Sequence, residues 1–252
     1  MLDFKGHRFE QDMILTSVCW YLAYPLSYRN LEEMLAERGV EVDHSSVDRW
    51  VQKFTPQFRK GQKRPVGTSW RMDETYIRIK GQWKYRYRAV DKRGQTVDFL
   101  LTAHRDKQAA LRFLQKAIGP HGRPVKVTID QSGANTAALI ALNTDADADS
   151  NIGIRQRKYL NNVIEQDHRA IKRLIQPMLG FQTFASAQTT LQGIELMHMI
   201  KKGQMCNPSG CQAVLFPRRL IAPDISASSR KTCPIKINAT EPFIFVQAVM
   251  LI

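Results

Sequence analysis

The stretch 70-WRMDETYIRIKGQWKYRYRAVDKRG-94 decides how this chain folds. Ile77 and Ile79 alternate with Arg78 and Lys80, and Trp83, Tyr85 and Tyr87 alternate with Lys84, Arg86 and Arg88. A period of two is the signature of a strand, so the segment reads as a β-hairpin turning at Gly81. If both apolar sets face one core, the connection has an odd length, most simply Lys80-Gly81-Gln82. On this reading Trp83, Tyr85 and Tyr87 are the buried face of the hairpin rather than a base-stacking platform. The basic residues opposite them are then free to meet a polyanion.

Working downstream, Thr96 to Thr102 supplies a third strand and Asp106 to Ile118 a helix. Val125 to Ile129 is a short apolar strand, Asn135 to Leu142 a helix, and Ile152 to Gln156 a further strand. Helices follow from about Asn161 to Leu174 and from Ala185 to Lys202. Three consecutive strands, then alternating helix and strand, then helices, predict an α/β domain with a ribonuclease-H-like mixed sheet and flanking helices.

Upstream, Pro56, Gly61, Pro65 and Gly67 stand among Arg and Lys and mark a basic linker. Before it the pattern is helical. Met13 to Tyr24 stops at Pro25, and Ser27 is placed to cap a helix carrying Leu31, Met34 and Leu35 on one stripe. Gly39 suits the end of that helix. A third helix is expected to begin with Ser45 and Asp48 at capping-box spacing. Val47, Trp50, Val51, Phe54 and Phe58 would face inward, leaving His44, Ser45, Ser46, Arg49, Gln52 and Lys53 outside. Such an arrangement fits a helix-turn-helix with Ser45, Ser46, Arg49 and Lys53 toward DNA, or a plain three-helix support. The division is therefore residues 1–60 helix-turn-helix, 61–69 linker, 70–204 catalytic domain and 205–252 an atypical tail predicted to lack regular structure.

Bulk properties agree. The net charge is +14 over 252 residues. Residues 1–64 hold 10 Lys and Arg against 9 Asp and Glu, whereas residues 65–204 hold 22 against 12. The excess sits on the middle segment, where a polyanion would be held by counterion release. No run of about 18 apolar residues is present, and MLDFKGHRFE lacks the apolar core of a secretory signal, so a cytoplasmic protein associated with the nucleoid is expected. Cys206, Cys211 and Cys233 lack a fourth zinc ligand, and His7, His44, His104, His121 and His198 form no cluster in the sequence.

Three acids stand where chemistry is expected. Asp73 lies in the first strand, Asp130 ends the strand Val-Lys-Val-Thr-Ile, and Glu165 lies on a later helix. Carboxylates at strand ends open into the crevice where α/β proteins place their sites. Three hard oxygen ligands repel one another unless cations neutralise them, which suits Mg²⁺. Two such ions, replaceable by Mn²⁺, can activate a hydroxyl and stabilise the leaving oxygen of an in-line phosphoryl displacement. His168, Arg169 and Lys172 follow Glu165 at i+3, i+4 and i+7 and are expected to share its face as a grip for phosphates.

These residues carry a resemblance. WRMDETYIRIKGQWKYRYRAVDKRG, VTIDQSGANTAAL and RKYLNNVIEQDHRAIKRLIQPMLGF resemble segments of bacterial insertion-sequence transposases of the IS-six family, as do SYRNLEEMLAERGVEVDHSSVDRW and TLQGIELMHMIKKGQ. The likeness runs from about residue 4 to 205. It implies a DNA-binding helix-turn-helix, a core shared with retroviral integrases, and replicative transposition through cointegrates. Asp73, Asp130 and Glu165 match the family's triad, and Lys172 its basic residue seven positions after the Glu. Gln131 departs from the Lys usual after the second Asp. The resemblance implies double-stranded DNA as partner (terminal inverted repeats and target), a homodimer or higher oligomer on DNA, and no membrane. Other readings are a DNA-binding regulator with a relic catalytic fold and a metal-dependent nuclease. After about Met205 the likeness stops, and the expectation is that unrelated coding sequence has replaced the family's usual terminus.

Overall fold

A computed structural model describes residues 4–58, 65–144, 151–156 and 161–205. The alternating acids of residues 145–149, and the tail with Cys206, Cys211 and Cys233, lie outside the described residues. The chain opens with α1 (Gln11–Ala23), buried on most sides through Ile14, Leu15, Val18, Cys19, Tyr21 and Leu22. Ser27 then caps α2 (Tyr28–Ala36): its hydroxyl accepts the Asn30 N–H at 3.1 Å, while Asn30 Oδ1 accepts the Ser27 N–H at 2.9 Å. Gly39 takes the positive φ of 74° that ends this segment, a conformation without penalty only for glycine.

The third helix, α3 (His44–Phe54), is capped by Asp43 rather than by Ser45: Asp43 Oδ1 accepts the Ser45 N–H at 2.7 Å. A carboxylate both satisfies an orphan donor and meets the positive end of the helix dipole. Val47, Trp50, Val51 and Phe54 are buried and Arg49 and Lys53 exposed, as the period of three and four requires. A 3₁₀ turn, Thr55–Gln57, closes this region.

Five strands and four more helices follow: β1 (Ser69–Ile79), β2 (Gln82–Asp91), β3 (Thr96–Thr102), α4 (Lys107–His121), β4 (Lys126–Ile129), α5 (Gly133–Thr144), β5 (Gly153–Gln156), α6 (Asn162–Ile175) and α7 (Phe184–Lys201). The sheet order is β3-β2-β1-β4-β5. β1, β2 and β3 are antiparallel neighbours, and β4 and β5 run parallel to β1. This is the expected ribonuclease-H-like mixed sheet with flanking helices.

The hairpin corrects one expectation. Ile79 pairs with Gln82, so the turn holds two residues, Lys80 and Gly81, at φ 49° and 76°. Positive φ at both positions matches the twist of the flanking strands. In the resulting register Tyr76 opposes Tyr85 and Arg78 opposes Trp83, whereas Ile77 opposes Lys84. The two apolar sets therefore lie on opposite faces. The premise of a single core fails because both faces of the sheet are covered. On one, Trp70, Met72, Tyr87 and Ala89 pack with Phe113 and Leu114 of α4 and Ala138 and Leu139 of α5. On the other, Ile77 and Ile79 join Ile171 of α6, Leu191 and Ile194 of α7, and the apolar residues of α1, α2 and α3.

The N-terminal helices thus share their core with α7. At the crossing, a Cβ on Gly193 would fall 2.6 Å from both Leu22 Cδ1 and Thr55 Cγ2. Gln52 of α3 donates to Thr190 Oγ1 at 3.5 Å, and the Lys201 ammonium donates to the Ala23 carbonyl at the end of α1. A cation there also complements the helix dipole. No described helix is long and apolar enough to cross a membrane. Gly193→Ala is expected to cost about 1–3 kcal/mol of stability by overpacking. Adding Leu22→Ala should cost less in that background than in the parent chain, read as non-additivity in a urea-denaturation double-mutant cycle.

Candidate active site

β1 and β4 lie parallel with Arg71 opposite Thr128. Two residues further along each chain, Asp73 and Asp130 come side by side where β4 ends. Asp130 is fixed there by its own turn, its Oδ1 accepting the Ser132 N–H at 3.1 Å. Carboxylate oxygens of Asp73, Glu74 and Asp130 lie within 4.8 Å of one another. Hard oxygens this close suit a divalent cation of the Mg²⁺ class.

Glu74 was not foreseen. Adjacent strand residues point to opposite faces, so alternation assigns Glu74 away from Asp73. β1, however, outlasts β4, and Asp130, just past the end of β4, lies within reach of both carboxylates. The Glu74 side chain is only 4% exposed and pairs with Arg105, and Oε2 accepts from Asn135 Nδ2 at 2.9 Å. Burial pushes this carboxyl up; Asn135 and Arg105 oppose that rise, and Asp130 and Asp73 add to it. Arg105 Nη2 also lies 3.9 Å from Asp130 Oδ2. The usable sequence signal for Arg105 is its place just before Asp106, whose side chain accepts the Ala109 N–H and caps α4.

Glu165 sits in the first turn of α6, half-buried, and is not part of the Asp73–Glu74–Asp130 group. One turn later His168 Nε2 approaches Asp73 Oδ2 to 3.5 Å. The imidazole is buried, so His168 does not share the outer surface with Arg169 and Lys172, which are exposed. Burial lowers its pKa, Asp73 acts against that, and Arg86 and Arg88 lower it further. The helix turns this residue inward because Ile164, Asp167, His168 and Ile171 form its buried stripe.

The basic face of the hairpin is likewise not a surface. Arg86 and Arg88 are fully buried, because α6 and α7 cover that side of β2. Arg88 stands opposite Asp73 in the β1–β2 register. It reaches Asp167 Oδ2 at 2.7 Å, Glu195 Oε1 at 3.0 Å and Thr96 Oγ1 at 2.7 Å, while Arg86 pairs with Glu195. Asp167 Oδ1 further accepts from Lys202 Nζ at 2.6 Å and engages His198 Nε2 at 2.8 Å. His198, without a role in the sequence reading, belongs to this cluster. Burial lowers the Arg88 guanidinium to about 10, with Asp167 opposing the shift. Burial also opposes ionisation of Asp167, but His198, Arg88 and Lys202 outweigh it and hold that carboxyl well below the usual carboxylate range. Asp167 is two residues from Glu165, so the cluster sets where α6 lies against β1.

The candidate ligands and the cluster that supports them span residues 73–202, and the IS240-type transposase model, described as a DDE domain, matches residues 67–204. The chain belongs to the DDE transposases. The transposase for insertion sequence-like element IS431mec of Staphylococcus aureus is 41% identical over 208 residues, covering 79% of this chain and 88% of its own. The transposase for insertion sequence element IS257 in transposon Tn4003, also from S. aureus, is 40% identical with the same coverage. In structure the chain is similar to the HTLV-2 integrase catalytic core domain in complex with magnesium, at 14% identity and a TM-score of 0.43, covering 60% of this chain and 97% of that one. By family this transposase of the insertion-sequence class is an enzyme, and the oxygen group of Asp73, Glu74 and Asp130 is a donor set that suits the divalent metal DDE cores in general use.

The ionic cluster makes a measurable claim. Asp167→Asn should destabilise the transposase by about 3 kcal/mol, since removing one partner leaves buried cations uncompensated. A carboxyl lowered on folding contributes stability that is fully present above its unfolded value near 4 and is lost as pH falls toward the folded value. Resistance of the parent chain to urea unfolding should therefore fall on acidification below about pH 4, and the variant should lose part of that dependence.

Proposed function

We propose that this transposase binds the terminal inverted repeats of its own element and uses Asp73, Asp130 and Glu165 to cut DNA and join it to a target. The observation that carries the reading is the convergence of Asp73 and Asp130 on adjacent parallel strands, with α6 held against Asp73 through His168. Hydrolysis of one phosphodiester at each element end frees a 3′-hydroxyl, which attacks a target phosphodiester, joins to its 5′-phosphate and expels the target's 3′-hydroxyl. DNA replication across the joined element then yields a cointegrate. Magnesium ions, two in this reading, supply activation of the attacking hydroxyl and stabilisation of the leaving oxygen when bound. Asp73 and Asp130 would hold them, and Glu165, one turn before His168 on α6, would be the third ligand.

The remaining residues grip and orient the DNA. Arg169 and Lys172 are exposed on the turns of α6 that follow Glu165, where they meet phosphates beside the scissile bond. Gln131 is exposed and uncharged next to Asp130, and Arg105 supplies the positive charge there instead. At the other end of the chain α3 acts as the recognition helix. Arg49 is exposed with Nη2 3.5 Å from Ser45 Oγ, and Lys53 is exposed with Nζ 3.0 Å from His7 Nε2. Ser45 and Ser46 lie at the helix N-terminus, where backbone N–H groups and the dipole favour phosphate. Two copies bring two ends together on DNA.

Glu165→Gln keeps the side-chain shape and removes the charge. It is expected to retain binding to an end-repeat duplex while losing cleavage and strand transfer by at least a hundredfold, on the order of a lost metal-ligand contribution. Full cleavage by this variant in magnesium would remove Glu165 from the triad. Labelled ends also separate the competing activities: cut but unjoined product marks a nuclease, and binding without either reaction a regulator.

Arg49→Ala and Lys53→Ala should each weaken repeat binding and flatten its salt dependence by about one counterion. Thermal unfolding should not change, because both side chains are on the surface. Unchanged repeat binding would make the three helices a support for α7 instead of a reader of DNA.

A further inference from the structure

One part of the hairpin is built differently from the rest. Of the three aromatics expected in the core, Tyr87 is buried but Trp83 is 62% exposed, and on β1 Tyr76 is 46% exposed. With Tyr85 they form a ladder on one sheet face, ring centroids 6.4 Å apart for Tyr76 and Trp83 and 5.3 Å for Tyr76 and Tyr85. The hairpin tip itself is held in place. Lys80 N–H donates to the Phe181 carbonyl at 2.7 Å and Phe181 N–H to the Arg78 carbonyl at 3.0 Å. Ile77, Ile79 and Phe181 are buried on the other side of the tip. The aromatic face is thus uncovered on a firm base.

We infer that Tyr76, Trp83 and Tyr85 are a stacking platform for unpaired DNA bases beside the carboxylates, an inference that rests on the DNA-cutting function proposed above. Charge and continuity favour this occupant. No acidic residue occurs between Glu74 and Asp91, and Arg78 stands directly opposite Trp83. Glu74, two residues before Tyr76 on the same strand face, belongs to the oxygen group with Asp73 and Asp130. A strand leaving the carboxylates along this face would meet flat rings at its bases and cations at its phosphates. Paired bases in a duplex offer only their edges to the grooves, so ring faces recognise a base that has left the helix, and they do so without sequence preference.

The test compares full-length protein on a blunt duplex and on the same duplex with a short single-stranded 3′ overhang carrying 2-aminopurine, in calcium to prevent turnover. The parent chain is expected to bind the overhang DNA about tenfold more tightly and to quench its fluorescence, the scale of one stacked base. Trp83→Ala should abolish that preference and the quench while leaving blunt-duplex affinity and melting temperature unchanged, and Trp83→Phe should keep most of both. Retention of preference and quench in Trp83→Ala and Tyr76→Ala overturns the platform. So does a change in the sedimenting mass of DNA-free Trp83→Ala without a selective loss on the overhang, which would mark a contact between copies. If the parent chain binds neither DNA, the failure lies in the DNA-cutting function; if it binds both equally, the failure is the platform's alone.

Discussion

Arg88 and Arg86 project from β2 into the space under α6 and α7, and the rest of the architecture has to accommodate their charges. Two guanidiniums without solvent are tolerable only if anions reach them, because desolvation of an unpaired ion costs several kcal/mol. Asp167 from α6 and Glu195 from α7 meet that demand, and His198 and Lys202 settle the remaining contacts of Asp167. An apolar contact of the same volume could tolerate a shift of a helix along its axis. A set of charge pairs cannot, since sliding α6 by one residue would separate Asp167 from Arg88. The cluster therefore fixes register between sheet and helices, and its place opposite Asp73 puts that precision where the carboxylates are.

The same helix that contributes Glu195 also carries the contact with the N-terminal helices. α7 passes so near α1 and the Thr55–Gln57 turn that a side chain at position 193 would have to displace the ends of Leu22 and Thr55. One face of α7 serves the ionic cluster and another the apolar core around Leu22 and Val51. A change of position in the N-terminal helices would thus be felt by an element that also sets the position of α6. Coupling of this kind needs no separate pathway, because a single rigid helix is shared by both packings.

Around the carboxylates the balance of charge is local. Asp73, Glu74 and Asp130 place three acids within a few ångströms of one another, and Arg105 is the cation that approaches two of them. Glu74 is the most enclosed of the three, and Asn135 and Arg105 hold it. Asp73, within β1, and Asp130, just past the end of β4, keep more solvent access, so their oxygens stay open to a cation.

Much of this was legible in residues alone. Period-two and period-3.6 patterns gave the order of strands and helices to within a few residues, because backbone hydrogen bonding and one-sided burial act locally. Asp130 at the end of an apolar strand, and Asp73 in the first strand, could be picked out because strand ends in such sheets open into a crevice. Other features depend on partners far along the chain. Whether Arg86 and Arg88 face water or a buried carboxylate is decided by Asp167 and Glu195, about 80 and 110 positions away. The hairpin turn follows from both sheet faces being covered, which no single hairpin can reveal. His168 turns inward because α6 lies on β1, and Trp83 stays exposed because neither α4 nor α5 extends over the hairpin tip. Sequence determined which elements form, since that is a matter of short-range periodicity. Tertiary structure alone decided which charges are buried and which aromatics are bare, since solvation is a property of what packs above a residue and not of its neighbours in the chain.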